Sequence, residues 1–171
     1  QWVPVHAGSD GAFWMAVTHV ILTEYHVKKK TKYFLDYVKQ YTDSPFLVKL
    51  EKSGENVKPG RLLRADELDA YKDIENGEWK FVNIDEKTGQ AVVPKGSSGS
   101  RWGETPGRWN MKLEDAVTDK PYDPVLSFID QHDEVLPTEF TEFGLDKTVP
   151  RGVPVKYIKT NKGKVPVTTV Y

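Results

Sequence analysis

The feature that most constrains this chain is a run near its start, "HAGSDGAFWMAVTHVIL", where a Gly-Ser-Asp turn leads at once into a helix that is apolar almost all round. Before the turn, Val3, Val5 and Ala7 alternate as an extended strand does. After it, Phe13, Val17, Val20 and Ile21 recur at helical spacing, and Ser9 or Asp10 stands where an N-cap belongs. The unit is strand, turn, helix. In open α/β sheets ligands bind at this place, because strand carboxyl ends meet helix N-termini whose backbone N–H groups are unpaired.

The first helix is expected over about residues 11–25. A basic bend then leads to "KYFLDYVKQYTD", where Tyr33, Phe34, Tyr37, Val38 and Tyr41 make one apolar stripe of a second helix. Pro45 ends it, and "FLVKLEK" reads as a strand. The order strand-helix-helix-strand favours an α/β layer with a parallel sheet. Further on, "GRLLRADEL" carries a short strand and a turn. "EWKFVNIDEKTGQAVVPKG" reads as a hairpin, with Trp79, Phe81, Val82 and Ile84 before a Lys87-Thr88-Gly89 turn and the run from Ala91 to Val93 after it. The glycine-rich "GSSGSRWGETPGRW" is a long loop, and little periodicity follows until Pro150. A last hairpin, "VPVKYIKTNKGKVPVTTVY", turns at Asn161-Lys162-Gly163. No internal repeat is evident.

Composition narrows the chemistry. Among 171 residues, 24 Lys and Arg nearly balance 25 Asp and Glu, so no global field recruits nucleic acid or an anionic membrane. Cysteine is absent, which excludes disulfides, thiolate nucleophiles and Cys-ligated metal centres within these residues. No run is long and apolar enough for a membrane span, and no secretory signal opens the chain. The chain starts without Met and stops mid-strand by pattern, so it is expected to be a piece of something larger that folds poorly alone.

Catalytic signatures are scarce. The four histidines, His6, His19, His26 and His132, make neither an H-E-x-x-H nor a zinc pattern, and "DQHDEV" reads as a solvated turn. There is no serine-hydrolase elbow and no P-loop. Two stretches remain. "AGSD" is either a capped turn that needs no ligand or a place where Gly8 lets backbone approach a flat or phosphorylated ligand while Asp10 offers two acceptors to paired N–H donors, as on a guanine edge. In "SRWGETPGRW", Arg101, Trp102, Arg108 and Trp109 either clamp an anion or anchor a loop.

Taken in order, "HAGSDGAFWMAVTHVILTEYHVKKKTKYFLDYVKQYTDSPFLVKLE", "GRLLRAD", "NGEWKFV", "VVPKGSSGSRWGE", "GRWN" and "VPVTTVY" resemble one continuous internal segment of the catalytic alpha subunit of respiratory nitrate reductase and its relative nitrite oxidoreductase, molybdenum enzymes of the DMSO-reductase family. The resemblance covers nearly the whole chain and weakens between about Lys112 and Arg151. It implies an α/β fold, the strand-helix-helix-strand portion of a Rossmann-like molybdopterin-oxidoreductase domain with β-hairpin insertions and long loops. Residues 1–70 would be the cofactor-binding part and 71–171 a loop-rich insertion.

The resemblance also implies function. A Gly-Thr-Asp turn in that family holds the guanine end of a molybdopterin guanine dinucleotide, and Gly8, Ser9 and Asp10 match it with Ser in place of Thr. The implied cofactor-binding residues are His6, Gly8, Ser9, Asp10, Arg101 and Trp102, with no catalytic residue and no metal ligand in these residues. The cofactor would be bis-molybdopterin guanine dinucleotide with molybdenum, and a [4Fe-4S] cluster would sit in the rest of the subunit. Implied partners are the remainder of the alpha subunit, an iron–sulfur beta subunit, a haem or membrane-anchor subunit, and nitrate or nitrite, in a membrane-associated complex without nucleic acid. His6-Ala7 and Phe13-Trp14-Met15 differ from the small-residue run of enterobacterial-type enzymes and lean towards the nitrite-oxidising branch. The direction of reaction follows from redox partners, not from these residues. The reading from another class is a stand-alone α/β nucleotide-binding or adaptor module.

Overall fold

A computed structural model describes residues 4, 6–95, 113–141 and 148–171. The chain forms two compact units, Gln1–Val38 and Lys39–Tyr171.

In the first unit, α1 (Asp10–Leu22) runs on into a π-helical stretch, Thr23–Lys28, so the helical segment outlasts the expected end. It stops without glycine: Lys30 takes a left-handed φ of +46°, and the amide of Thr31 donates to the Tyr25 carbonyl at 2.9 Å. Helix α2 (Lys32–Tyr41) follows, and its Phe34 ring packs 5.9 Å from that of Tyr25. Of the stripe expected on α2, Val38 is buried but Tyr33, Tyr37 and Tyr41 are exposed.

The second unit is built on a closed barrel of five strands in the order β1-β2-β5-β6-β7: β1 (Leu47–Ser53), β2 (Asn56–Leu62), β5 (Glu134–Thr141), β6 (Thr148–Thr160) and β7 (Gly163–Thr169). A two-stranded sheet, β3 (Asn83–Ile84) with β4 (Ala91–Val92), stands apart. The core joins Leu47 and Val167 of the barrel to Leu63, Tyr71, Val82, Ile84, Val93, Val125 and Phe128.

Helices and strands mix as expected, but the parallel sheet is corrected. Strand β1 pairs antiparallel with β2 and β7, because Gly54-Glu55 and a return from β6 leave no room for a crossover helix; among the described residues the one parallel contact is Val57 beside Thr138. Val3 and Val5 of the expected first strand lie outside the described residues, and Ala7 is in the turn. The expected hairpin from Trp79 to Val93 is shorter, since Gly77–Trp79 forms a 3₁₀ turn that leaves the Trp79 ring exposed. The hairpin at Asn161 forms as expected. Strand β5, where little periodicity was expected, pairs with β6 from Glu134 opposite Val155 to Thr141 opposite Thr148. The prolines of the two strands fit because Pro137 of β5 and Pro150 and Pro154 of β6 all fall on alternate pairs of the ladder, opposite Gly152, Glu139 and Val135, where antiparallel strands exchange no N–H bonds.

A short repetition also appears. Asp85 and Asp115 each open the same turn: their carboxylates accept from the amides two and three residues on, Lys87 and Thr88 in one, Val117 and Thr118 in the other. Each turn closes through its backbone, Asp85 with Gly89 and Gln90, Asp115 with Asp119 and Lys120. Each uses one positive φ, at Gly89 (+67°) and Asp119 (+58°).

Burial alone would raise the Asp85 carboxyl, but the Thr88 hydroxyl and the amides of Asp123, Lys87 and Thr88 outweigh it and hold it below the usual carboxylate range. A carboxyl lowered in the fold adds stability above the unfolded value and loses it as pH falls through the folded one. In the full-length protein, Asp85→Asn is therefore expected to be less resistant to limited proteolysis than the parent at neutral pH, with the difference shrinking as pH falls through the lowered folded value.

Candidate functional site

The turn before α1 is set by Gly8. Its φ of +82° is left-handed, and a Cβ there would meet nothing within 4 Å, so backbone conformation rather than crowding requires glycine. The turn closes when the Ser9 amide donates to the His6 carbonyl at 3.0 Å, and the Ser9 hydroxyl donates to the same oxygen at 2.6 Å. Ser9 thus occupies the N-cap position without capping by its side chain; its ψ of 11° is not the extended value that brings a cap hydroxyl over the helix. The first helical bond runs from the Phe13 amide to the Ser9 carbonyl at 3.0 Å.

This departure from a simple cap matters chemically. With the Ser9 hydroxyl turned back to His6, the leading amides of α1 keep the open N–H groups of a helix start, and the positive end of the helix adds to them. Asp10, the first residue of α1, is exposed beside them, and among the described residues its carboxylate makes no hydrogen bond or ion pair. One turn therefore offers close-approach backbone at Gly8, donors for an anion, and paired acceptors at Asp10.

Of the residues singled out in the sequence, His6, Gly8, Ser9 and Asp10 come together in this turn, His6 through its carbonyl. Arg101, Trp102, Arg108 and Trp109 lie outside the described residues. Among the described residues no group of three or more His, Cys, Asp and Glu is arranged to hold a metal ion, and no helix is long and apolar enough to cross a membrane.

The second unit holds a polar cluster that sequence reasoning missed. The Tyr71 hydroxyl donates to Oδ2 of buried Asp115, whose Oδ1 takes the amides of Val117 and Thr118 at 2.7 and 2.9 Å. Burial, then Asp115, pushes the Tyr71 hydroxyl up. Tyr122 is raised by burial and then by Asp115, Tyr71 and Asp85, and its hydroxyl has no hydrogen-bond partner among the described residues. With its oxygens already engaged, Asp115 braces its turn against Tyr71. Asp115→Ala removes the acceptor of the Val117 and Thr118 amides and leaves the Tyr71 hydroxyl only the Ala91 carbonyl at 3.4 Å, and hydrogen exchange around residues 115–120 of the full-length protein is expected to report a loss of about 1–3 kcal/mol. A cavity of about 350 Å³ beside Val48, Leu50, Pro59, Phe140 and Val153 has no charged lining among the described residues.

No protein-family model matches the chain. Over its whole length, however, it is similar to nitrate reductase alpha chains. It is 41% identical over 181 residues to the nitrate reductase alpha subunit of Mycobacterium tuberculosis and 37% over 183 residues to the respiratory nitrate reductase 1 alpha chain of Escherichia coli. To the nitrate reductase alpha chain of Bacillus subtilis it is 36% identical over 173 residues. These alignments take in 99 or 100% of this chain. The chain matches one internal segment of nitrate reductase alpha chains and spans about 14% of the length of these relatives.

Proposed function

We propose that the chain is part of the catalytic alpha subunit of a molybdenum enzyme that interconverts nitrate and nitrite, and that its turn at His6, Gly8, Ser9 and Asp10 grips the guanine end of a bis-molybdopterin guanine dinucleotide. Similarity to nitrate reductase alpha chains from end to end carries the reading of the whole. The turn carries the reading of the site, because its residues fit a guanosine phosphate: open amides for the anion, bare backbone at Gly8 and two acceptors at Asp10 for the guanine N1–H and NH2.

On this reading residues 1–70 contribute the cofactor-binding part, residues 71–171 form an insertion, and Arg101 and Trp102 line the cofactor side or the substrate approach. When bound, the cofactor supplies oxygen-atom transfer at molybdenum; these residues hold its distant end. A [4Fe-4S] cluster, an iron–sulfur beta subunit and a haem or membrane-anchor subunit complete the complex, which works at a membrane.

Denaturing extraction of the native full-length protein tests the whole reading. Molybdenum released together with a guanine-containing pterin is the expected result, and a protein free of both overturns it in favour of a nucleotide-binding or adaptor module.

A further inference from the structure

Asn76–Gly77 is the one Asn-Gly step in the chain. Such a step can modify itself, because glycine has no Cβ to shield its amide nitrogen from the neighbouring side-chain carbon. The Gly77 nitrogen attacks Cγ of Asn76, a C–N bond forms as the bond from Cγ to Nδ2 breaks, and ammonia leaves with the proton of the Gly77 amide. Water then opens the resulting succinimide to aspartate or isoaspartate. In the fold that nitrogen is engaged. Gly77 is buried at the start of the Gly77–Trp79 3₁₀ turn, and its amide donates to the Ile74 carbonyl at 3.2 Å. Asn76 is held at φ +56° and ψ +35°, its carbonyl accepting from the Trp79 amide at 3.0 Å, while the Gly77 carbonyl accepts from the Lys80 amide at 3.2 Å. Asp66 and Ile74 close in on the glycine: a Cβ added there would meet the Asp66 amide nitrogen and Cγ1 of Ile74, each at 3.4 Å.

We infer that Asn76 is a spontaneous modification site guarded by this 3₁₀ turn, so that conversion waits for the turn to open locally. Two requirements of the reaction fail while the turn is closed. The Gly77 proton must be lost to solvent base, yet it is shared with the Ile74 carbonyl on a buried residue. The Gly77 nitrogen must also come over Cγ, which turns Asn76 out of its left-handed angles and breaks the bond from the Trp79 amide. The two products then differ. Left-handed backbone suits Asp as it does Asn, so aspartate re-forms the turn, whereas isoaspartate lengthens the backbone and puts these bonds out of step. Every group involved lies between Asp66 and Lys80 in the second unit, so the guard is independent of what packs over the turn. It is equally independent of the cofactor reading.

Two rates measured on the full-length protein in mildly alkaline buffer test the inference. Peptide mapping by mass spectrometry follows the conversion of Asn76, and hydrogen exchange follows the Gly77 amide. Conversion in the native protein is expected to be at least about tenfold slower than in the guanidinium-unfolded protein. That slowing is expected to equal the exchange protection of the Gly77 amide within about fivefold, because both reactions need the same opening. A smaller slowing overturns the guard, and so does one that departs further from the protection of the amide.

Discussion

Replacing Asp10 by Ala in the full-length subunit is expected to lower the fraction of molecules that retain guanine-bearing molybdenum cofactor, while activity per bound molybdenum stays nearly unchanged. The loss follows from the proposed pairing. Ala leaves two guanine donors without acceptors, at about 1–3 kcal/mol for each group left unsatisfied, or about a 5-fold to 150-fold weakening per group. Removing the charge from the start of α1 costs the helix itself less, about 0.3–1 kcal/mol, so a mere helix-end role predicts a small change in folding and none in cofactor content. Asn keeps one acceptor and turns an amino group towards a donor. Molybdenum content should therefore fall in the order Asp10, Asn, Ala, measured by metal analysis against protein. Equal contents in all three would reduce Asp10 to the first residue of a helix.

The largest effect on folding is expected at Phe128. Its ring is 1% exposed and packs in the core that joins the barrel to Val82, Ile84, Val93 and Val125. Truncation to Ala leaves a cavity that rigid strands cannot fill, at a cost of about 3–5 kcal/mol. A multidomain subunit does not unfold in two states, so the loss is best read as faster hydrogen exchange in β1, β6 and β7. The exposed Trp79, also aromatic but on the surface, should change little when cut to Ala. Protection in β1 that survives Phe128→Ala would contradict the single-core description.

What could be read from the sequence followed how local each signal is. Helices α1 and α2, strand β1 and the hairpin at Asn161 depend on neighbours within a few residues, and all four formed where expected. The parallel sheet failed because sheet direction depends on partners distant in sequence: β1 meets β7, more than a hundred residues on. Strand β5 was hidden by Pro137 and the first residues of β6 by Pro150, since the tolerance of a proline depends on register in the ladder and cannot be read from one strand alone; from Val153 on, β6 was part of the expected hairpin. Trp79 misled in the opposite sense, since alternation gives a strand signal even where a 3₁₀ turn forms. The Tyr71–Asp115 bond spans 44 residues, and nothing at either end announces the other.

The turn was more legible. Glycine followed by Ser-Asp before an apolar run is a local pattern, and Gly8 takes the left-handed φ that such a turn needs. The direction of the Ser9 hydroxyl was not legible, because both a helix amide and the His6 carbonyl lie within its reach and only the backbone angle decides between them.

The central claim is that Asp10 meets the guanine of the cofactor. The distance between its carboxylate and the guanine edge, measured in an experimental structure of the cofactor-loaded full-length subunit, tests it most directly. The account predicts both carboxylate oxygens within about 2.7–3.1 Å of guanine N1 and the exocyclic nitrogen. A guanine whose N1 and NH2 are held by other residues, with Asp10 facing elsewhere, would contradict it.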